Sequence, residues 1–247
     1  MRNLTIDIGN TNSKVAVFEG REILFYELFP RLDESLLLRL ITEYDVKTAI
    51  LSNVNYAQDD LVSFLQANTR YIPFTVEKNT GIQNNYKSAG TLGLDRWAKL
   101  LAVHRLYSEM ACLIIDMGTC ITYDYLSADA KYEGGSISLG IQMRFNALSH
   151  YTGKLPLIQW DKDPAIPAGT DTQTAIISGV LNGVASELEG FINQKYKEND
   201  TLKIMVTGGD ARFLLEQFKN SIFAPQIIHD PYLVLKGLNE VIAFEYV

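Results

Sequence analysis

The run Asp7-Ile8-Gly9-Asn10-Thr11-Asn12-Ser13-Lys14 puts a carboxylate, two hydroxyls and a lysine into one turn. A tight turn at Gly9 leaves backbone N–H groups free to face an anion. Thr11, Asn12 and Ser13 add donors, and Lys14 adds positive charge. These are the parts of a phosphate cradle. Phosphate repels Asp7, which suits instead a cation that binds phosphate, or a water on that cation. Taken alone, an ordinary solvated hairpin accounts for this motif equally well. The pattern returns, however, as Asp116-Met117-Gly118-Thr119, with Thr122 behind it. A third site, Val206-Thr207-Gly208-Gly209-Asp210-Ala211, ends a strand and opens a helix. Its diglycine, Gly208 and Gly209, permits close approach of a flat base or ribose.

These turns need strands and helices to hold them. Leu4–Ile8, Lys14–Phe18 and Ile23–Leu28 read as short strands, split by turn signals. The period then changes. Asp33–Tyr44 and Ala57–Asn68 read as helices, and Thr48–Ser52 and Ile72–Val76 as strands. A polar loop, TGIQNNYKSAGTLG, leads into a helix over Asp95–Tyr107. Two strands flank the second turn within Leu113–Leu126. A strand around Tyr132–Ile137 and helices over Ile141–Ser149 and Thr172–Tyr196 come next. Strand Lys203–Thr207, helix Ala211–Phe218, strand Gln226–Ile228 and helix Tyr232–Phe244 complete the order. A βββαβα-like order that occurs twice predicts an α/β fold of two duplicated domains, 1–111 and 112–247. No Pro/Ser-rich linker separates them, so close packing of the halves is expected.

The chain has 247 residues, enough to bury a core without staples. Its net charge of −7 offers no global basic field to nucleic acid or an anionic membrane. No apolar run reaches the ~20 residues of a membrane-spanning helix. Met1-Arg2-Asn3 runs directly into a strand, without a signal-peptide pattern. Cys112 and Cys120 form no CxxC pair. A reduced, cytoplasmic protein without nucleic-acid or membrane partners is the expectation.

Three phosphate-type sites on a duplicated α/β chain resemble the actin, sugar-kinase and Hsp70 superfamily. There, ATP lies in a cleft between two ribonuclease-H-like domains. The segment Tyr86-Lys87-Ser88-Ala89-Gly90-Thr91-Leu92-Gly93-Leu94-Asp95-Arg96 makes the resemblance specific. G-x-D-R after a tyrosine-bearing loop, with D-x-G-N-T-x-x-K and D-x-G-T-x-x-T, resembles the type III pantothenate kinases. Gly134-Gly135-Ser136-Ile137, Thr152-Gly153-Lys154-Leu155-Pro156, Thr172-Gln173-Thr174-Ala175 and Thr207-Gly208-Gly209 follow in the family's order. The resemblance implies phosphorylation of pantothenate by ATP with Mg²⁺, giving 4′-phosphopantothenate, the first step toward coenzyme A. It implies that Asp7, Ile8, Gly9, Asn10, Thr11, Asn12, Ser13 and Lys14 bind ATP phosphates, and that Thr119, Gly208 and Gly209 contact the nucleotide. Asp95 would be the general base for the primary hydroxyl. Tyr86, Gly93, Leu94 and Arg96 would form the substrate pocket with it. Asp116 would hold a monovalent cation, K⁺ or NH₄⁺. Thr172 would reach the substrate across a homodimer interface. A carboxylate in hydrogen-bond reach can accept the hydroxyl proton as attack proceeds, so Asp95 needs no raised pKa.

Plainer roles stand beside these. An Asp opening an amphipathic helix is commonly a cap, which is the other reading of Asp95. His104, His150 and His229 are scattered without metal-ligand spacing, and Cys112 and Cys120 read as core thiols. Trp97 and Leu101 read as core, Asp59 and Asp60 as solvated surface, and Asp161, Asp163 and Asp171 as loop carboxylates. The family often has proline where Ala89 and Leu139 stand, and alanine where Cys120 stands; no charged or hydroxyl group is lost by these changes. Two other functions remain to be separated from the kinase. One is an inactive relative acting as a regulatory or binding protein, which would be expected to lack Asp7, Asp95 or Asp116. The other is a kinase for a different small hydroxy acid.

Overall fold

The computed structural model describes residues 1–53 and 59–245, and they form two compact units. The first unit comprises Met1–Ser108, Ala130–Tyr132 and Tyr232–Val247; the second comprises Glu109–Asp129 and Glu133–Pro231. A single cut near residue 112 therefore meets the chain once, while two further segments return to the first unit.

The first unit begins with strands β1 (Arg2–Ile8), β2 (Ser13–Glu19) and β3 (Glu22–Phe29). Helix α1 (Glu34–Glu43), β4 (Thr48–Asn53), α2 (Asp59–Asn68) and β5 (Arg70–Pro73) come after them. The expected start of α2 at Ala57 lies outside the described residues. The sheet order is β3-β2-β1-β4-β5, with β2 antiparallel and β4 parallel to β1. Side chains alternate across a strand, so β1 presents two distinct faces. Leu4, Ile6 and Ile8 join Val15, Val17, Leu37, Leu40 and Leu65 in one apolar core. Asn3, Thr5 and Asp7 occupy the opposite face, and they too are buried.

The segment after β5 is less loop-like than its polar sequence suggests. Within it lie a two-residue strand, β6 (Gln83–Asn84), and a 3₁₀ turn over Ala89–Thr91. Helix α3 (Leu94–Leu106) comes next, with Trp97 and Leu101 fully buried. The last helix of the chain, α7 (Leu233–Phe244), belongs to this unit and packs against α3 and β1. Asn239 on α7 accepts from Asn3 Nδ2 at 2.9 Å and donates to the Gly20 carbonyl at 2.7 Å. Thus α7 and α3 lie on the sheet face that carries Asp7.

The second unit opens with the hairpin β7 (Cys112–Met117) and β8 (Cys120–Leu126). Strand β9 (Lys131–Leu139), α4 (Ile141–Tyr151), α5 (Thr172–Glu198), β10 (Lys203–Thr207), α6 (Ala211–Phe218) and β11 (Ile227–His229) continue the order. The strand order in this unit is β11-β10-β7-β8-β9; β6 pairs with Lys131 and Tyr132, which belong to the first unit. Helix α5 is long and apolar enough to cross a membrane by length and composition. It buries Ile176, Val180, Leu181, Val184, Leu188 and Ile192 at helical spacing in this unit's core. Asp171, expected to be a loop carboxylate, instead caps α5. Its side chain accepts from the Thr174 N–H at 3.0 Å, and the Thr174 hydroxyl reaches back in a capping box.

Candidate active site

In the first unit, strand register sets the phosphate-type turn. Asp7 lies opposite Lys14 on β2 and Ser52 on β4. Gly9 N–H donates to the Asn12 carbonyl at 3.2 Å, closing the turn, while Asn10, Thr11 and Asn12 remain exposed. Lys14 Nζ is 4.0 Å from Asp7 Oδ2. Asp7 Oδ1 is buried with no hydrogen-bond partner among the described residues. Burial pushes this carboxyl up from 3.8 to about 6, against the pull of Lys14; Asp95 raises it further, and Lys99 and the Ser52 hydroxyl lower it. A buried carboxylate oxygen without a donor is chemically suited to a hydrated divalent cation.

The G-x-D-R segment sits at the start of α3. Gly93, not Asp95, is the helix N-cap, so the capping role weighed for Asp95 is not the one it has. Asp95 lies in the first turn, and its side chain is 31% exposed. Its Oδ2 accepts from Lys99 Nζ at 2.9 Å. Burial raises the Asp95 carboxyl, but the Lys99 charge and hydrogen bond, the Arg96 backbone N–H and the Arg96 charge outweigh it. The net result lies below the usual carboxylate value. Asp95 is therefore an ionised acceptor at neutral pH.

Arg96 is buried and donates from Nη2 to the Tyr132 hydroxyl at 3.0 Å. Its guanidinium also lies 5.7 Å from the Tyr86 ring centroid. Tyr86 and Tyr132 stack with centroids 6.0 Å apart. Strand β6 causes this meeting: Asn85 N–H donates to the Tyr132 carbonyl at 2.9 Å, which delivers Tyr86 beside Tyr132. The structure thus brings Tyr86, Gly93, Asp95 and Arg96 together in one unit, next to Asp7. Sequence reasoning missed Tyr132 and Lys99. Lys99 had a signal, because acid and base four residues apart share a helix face.

The second unit repeats the strand-end pattern with a shorter turn. Gly118 and Thr119 alone join β7 to β8, and Gly118 N–H donates to the Cys120 carbonyl at 3.1 Å. Register places Asp116 between Thr122 on β8 and Thr207 on β10. Both threonine hydroxyls are buried without a hydrogen-bond partner among the described residues. A carboxylate flanked by two such hydroxyls is an oxygen set that fits a hard cation. Gly208 has φ of +95°, and a Cβ there would strike Asp116 Oδ1 and the Met117 backbone. Its lack of a side chain first serves this packing. Gly209 is exposed, and a Cβ there would meet only the tip of Lys162, so Gly209 is the glycine left open to a ligand. Thr119 is exposed beside them on the turn. Cys120, expected in the core, is half-buried, with Sγ 3.9 Å from Met143 Sδ. Burial pushes the Cys112 thiol up to about 12, which removes it as a nucleophile at neutral pH. Among the described residues, no group of three His, Cys, Asp or Glu side chains forms a metal cluster.

Thr172 is exposed at the first turn of α5, away from these strand ends along the chain. It lines an 830 Å³ groove between α4 and α5, with Leu139, Arg144, Leu148, Tyr151 and Ile176. The groove belongs wholly to the second unit.

Solved structures share this architecture. One is a Campylobacter jejuni protein assigned to the Baf family of transcriptional activators, with a TM-score of 0.65, 22% identity and 98% of both chains covered. Another is a Listeria monocytogenes protein assigned as an N-acetylmannosamine kinase, with a TM-score of 0.59, 16% identity and the whole of both chains covered. The fold is actin- and sugar-kinase-like, built from two α/β units. The family profile for Type III pantothenate kinase matches residues 3–194, and a Type III pantothenate kinase of Phocaeicola vulgatus is 37% identical over 98% of each chain. The chain belongs to the Type III pantothenate kinase family.

Proposed function

We propose that this protein transfers the γ-phosphoryl group of ATP to the primary hydroxyl of pantothenate, forming 4′-phosphopantothenate in coenzyme A biosynthesis. The observation that carries the site assignment is the ionised, part-exposed Asp95 beside the Arg96–Tyr132–Tyr86 wall. Asp95 accepts the hydroxyl proton while the hydroxyl oxygen bonds to the γ-phosphorus and the bond to the ADP oxygen breaks. Arg96, held by Tyr132, fixes the pocket wall with Tyr86, Gly93 and Leu94. In the first unit, Asp7 through Lys14 hold phosphate oxygens with backbone N–H groups, hydroxyls and the Lys14 ammonium. In the second, Thr119, Gly208 and Gly209 contact the nucleotide. Asp7 would hold Mg²⁺ through water, and Asp116 with Thr122 and Thr207 would hold K⁺ or NH₄⁺; bound, such ions neutralise phosphate charge. All three aspartates that an inactive relative would lack are present.

The reading includes a homodimer, with the α4–α5 groove and the exposed Leu139 and Tyr151 as its apolar face and Thr172 at its edge. It also includes a cytoplasmic location without nucleic acid or membrane as partner, in keeping with a net charge of −7. The test is turnover of ATP and pantothenate by purified protein in K⁺ or in Na⁺, beside Asp95→Asn, with light scattering on the same samples. The expected result is 4′-phosphopantothenate, faster in K⁺. Turnover should fall at least about a hundredfold in the variant, the scale of a lost general base, and the mass should be that of a dimer. ATP binding with no turnover of pantothenate would return the regulator and the other-substrate kinase to consideration.

A further inference from the structure

Lys99 is only 1% exposed, so its ammonium has left water almost completely. A buried charge is tolerated when it is paired, and removing the partner is more costly than never having had the pair. The partner is Asp95, one helical turn earlier, with the acid N-terminal to the base, the favourable order on a helix. The carboxylate is confined on its other side as well. A Cβ built on Gly93 would lie 2.8 Å from Asp95 Oδ1, so the glycine leaves room for this oxygen. Lys99 on Oδ2 and the nearness of Gly93 to Oδ1 restrict how the carboxylate can turn.

The surrounding charges bear on the same role. The Asp95 charge raises the Asp7 carboxyl, and Lys99 lowers both carboxyls. Arg96 faces Asp95 from α3, Lys14 faces Asp7 from β2, and the Ser52 hydroxyl faces it from β4. Lys14 belongs to the phosphate-type turn and Arg96 is engaged with Tyr132. Lys99 is the cation that bonds the Asp95 carboxylate directly, from one helical turn away.

We propose that Lys99 is a positioning residue for phosphoryl transfer: its buried ammonium holds the Asp95 carboxylate in the orientation that receives the hydroxyl proton. The proposal rests on Asp95 being the base. It predicts losses in kcat rather than in substrate binding, since Lys99 is too buried to touch either substrate.

The experiment measures kcat, both KM values and the pH dependence of kcat for wild type, Lys99→Met, Lys99→Gln, Lys99→Arg, Asp95→Asn and the Asp95→Asn/Lys99→Met double variant. In Lys99→Met, kcat should fall at least about tenfold, in line with the cost of misplacing a reacting group. Both KM values should stay within about threefold, as expected when only transition-state stabilisation is lost. The acid limb of the kcat profile should move up by about one pH unit, because a neighbouring cation is gone. Lys99→Arg, which keeps charge and donor, should recover part of the lost turnover. The double variant should be no slower than Asp95→Asn, since both changes act through one group. If Lys99→Met does not fold, Lys99→Gln carries the test, with the same upward move of the acid limb expected.

A folded Lys99→Met or Lys99→Gln enzyme with unchanged kcat and an unmoved acid limb would overturn the proposal while leaving the base assignment intact. So would losses that multiply in the double variant. Should Asp95→Asn itself keep its turnover, the base assignment fails and the role of Lys99 falls with it.

Discussion

Asp7 on β1 and Asp95 on α3 are both acted on by Lys99, yet their carboxyls move in opposite directions. Asp7 is the more enclosed and is pushed from 3.8 to about 6, chiefly by burial; Asp95 ends below its usual value because Lys99 binds it. The consequence for stability comes from proton counting. Below about pH 4 both folded and unfolded chains carry the Asp7 proton, and burial costs nothing. Between about pH 4 and 6 the folded chain keeps a proton that the unfolded chain has released, so stability falls as pH rises. Above about 6 the full cost is present. A shift of about two units corresponds to about 3 kcal/mol. Asp7→Asn should therefore raise stability toward neutral pH by up to about 3 kcal/mol and leave it nearly unchanged at pH 4. Urea unfolding at pH 4 and pH 8, without nucleotide or Mg²⁺, checks this; an equal effect at both pH values would mean that burial of the charge is not what Asp7 costs. The positions of Asp7, Asp95 and Arg96 were legible because their spacing sits in motifs that one strand or one helix turn carries. Tyr132 was not legible. Its link to Arg96 spans distant sequence, and nothing in a lone tyrosine on a strand announces such a partner.

At the scale of elements, the site depends on how closely α3 can lie against its neighbours. Gly237 on α7 faces the Ala98 carbonyl on α3 so closely that a Cβ would overlap it. The two helices touch backbone to backbone there, only a turn beyond Asp95. Gly237→Ala gains up to about 1 kcal/mol in helix propensity, but overpacking of this kind costs about 1–3 kcal/mol. The overlap is with backbone, which cannot swing aside as a side chain can. The expected outcome is a net loss of about 1–2 kcal/mol, read as a lower urea midpoint with an unchanged slope. A variant as stable as wild type would show that the helices separate at little cost. The sequence predicted both helices but not their contact, since a glycine inside a helical pattern reads only as a weakened helix. Strand β6 was missed for a related reason. Two polar residues have no periodicity, and their pairing with Lys131 and Tyr132 is nonlocal.

For the whole molecule, the duplicated strand order was legible because each half has its own hydrophobic rhythm, but the return of the last helix to the first unit was not. Helix α7 comes after the second unit along the chain, and only packing assigns it. It buries Leu233, Val234, Leu235, Leu238, Val241 and Ile242, at roughly 1.5–3 kcal/mol for each fully buried side chain. That sum is comparable to the whole stability of an ordinary domain, about 5–15 kcal/mol. It also covers the polar face of β1, where Asn239 satisfies Asn3. A chain stopped after Pro231 retains every residue of the second unit while stripping this cover from the first. Hydrogen exchange on the truncated chain should show protection lost in β1, β4 and α3 and kept in β7, β10 and α5. Because Asp7 and Asp95 both lie in the unit that loses its cover, turnover should vanish while the second unit stays folded. Loss spread evenly over both units would mean that they fold as one cooperative body, and that α7 secures the whole chain rather than the half that carries the base.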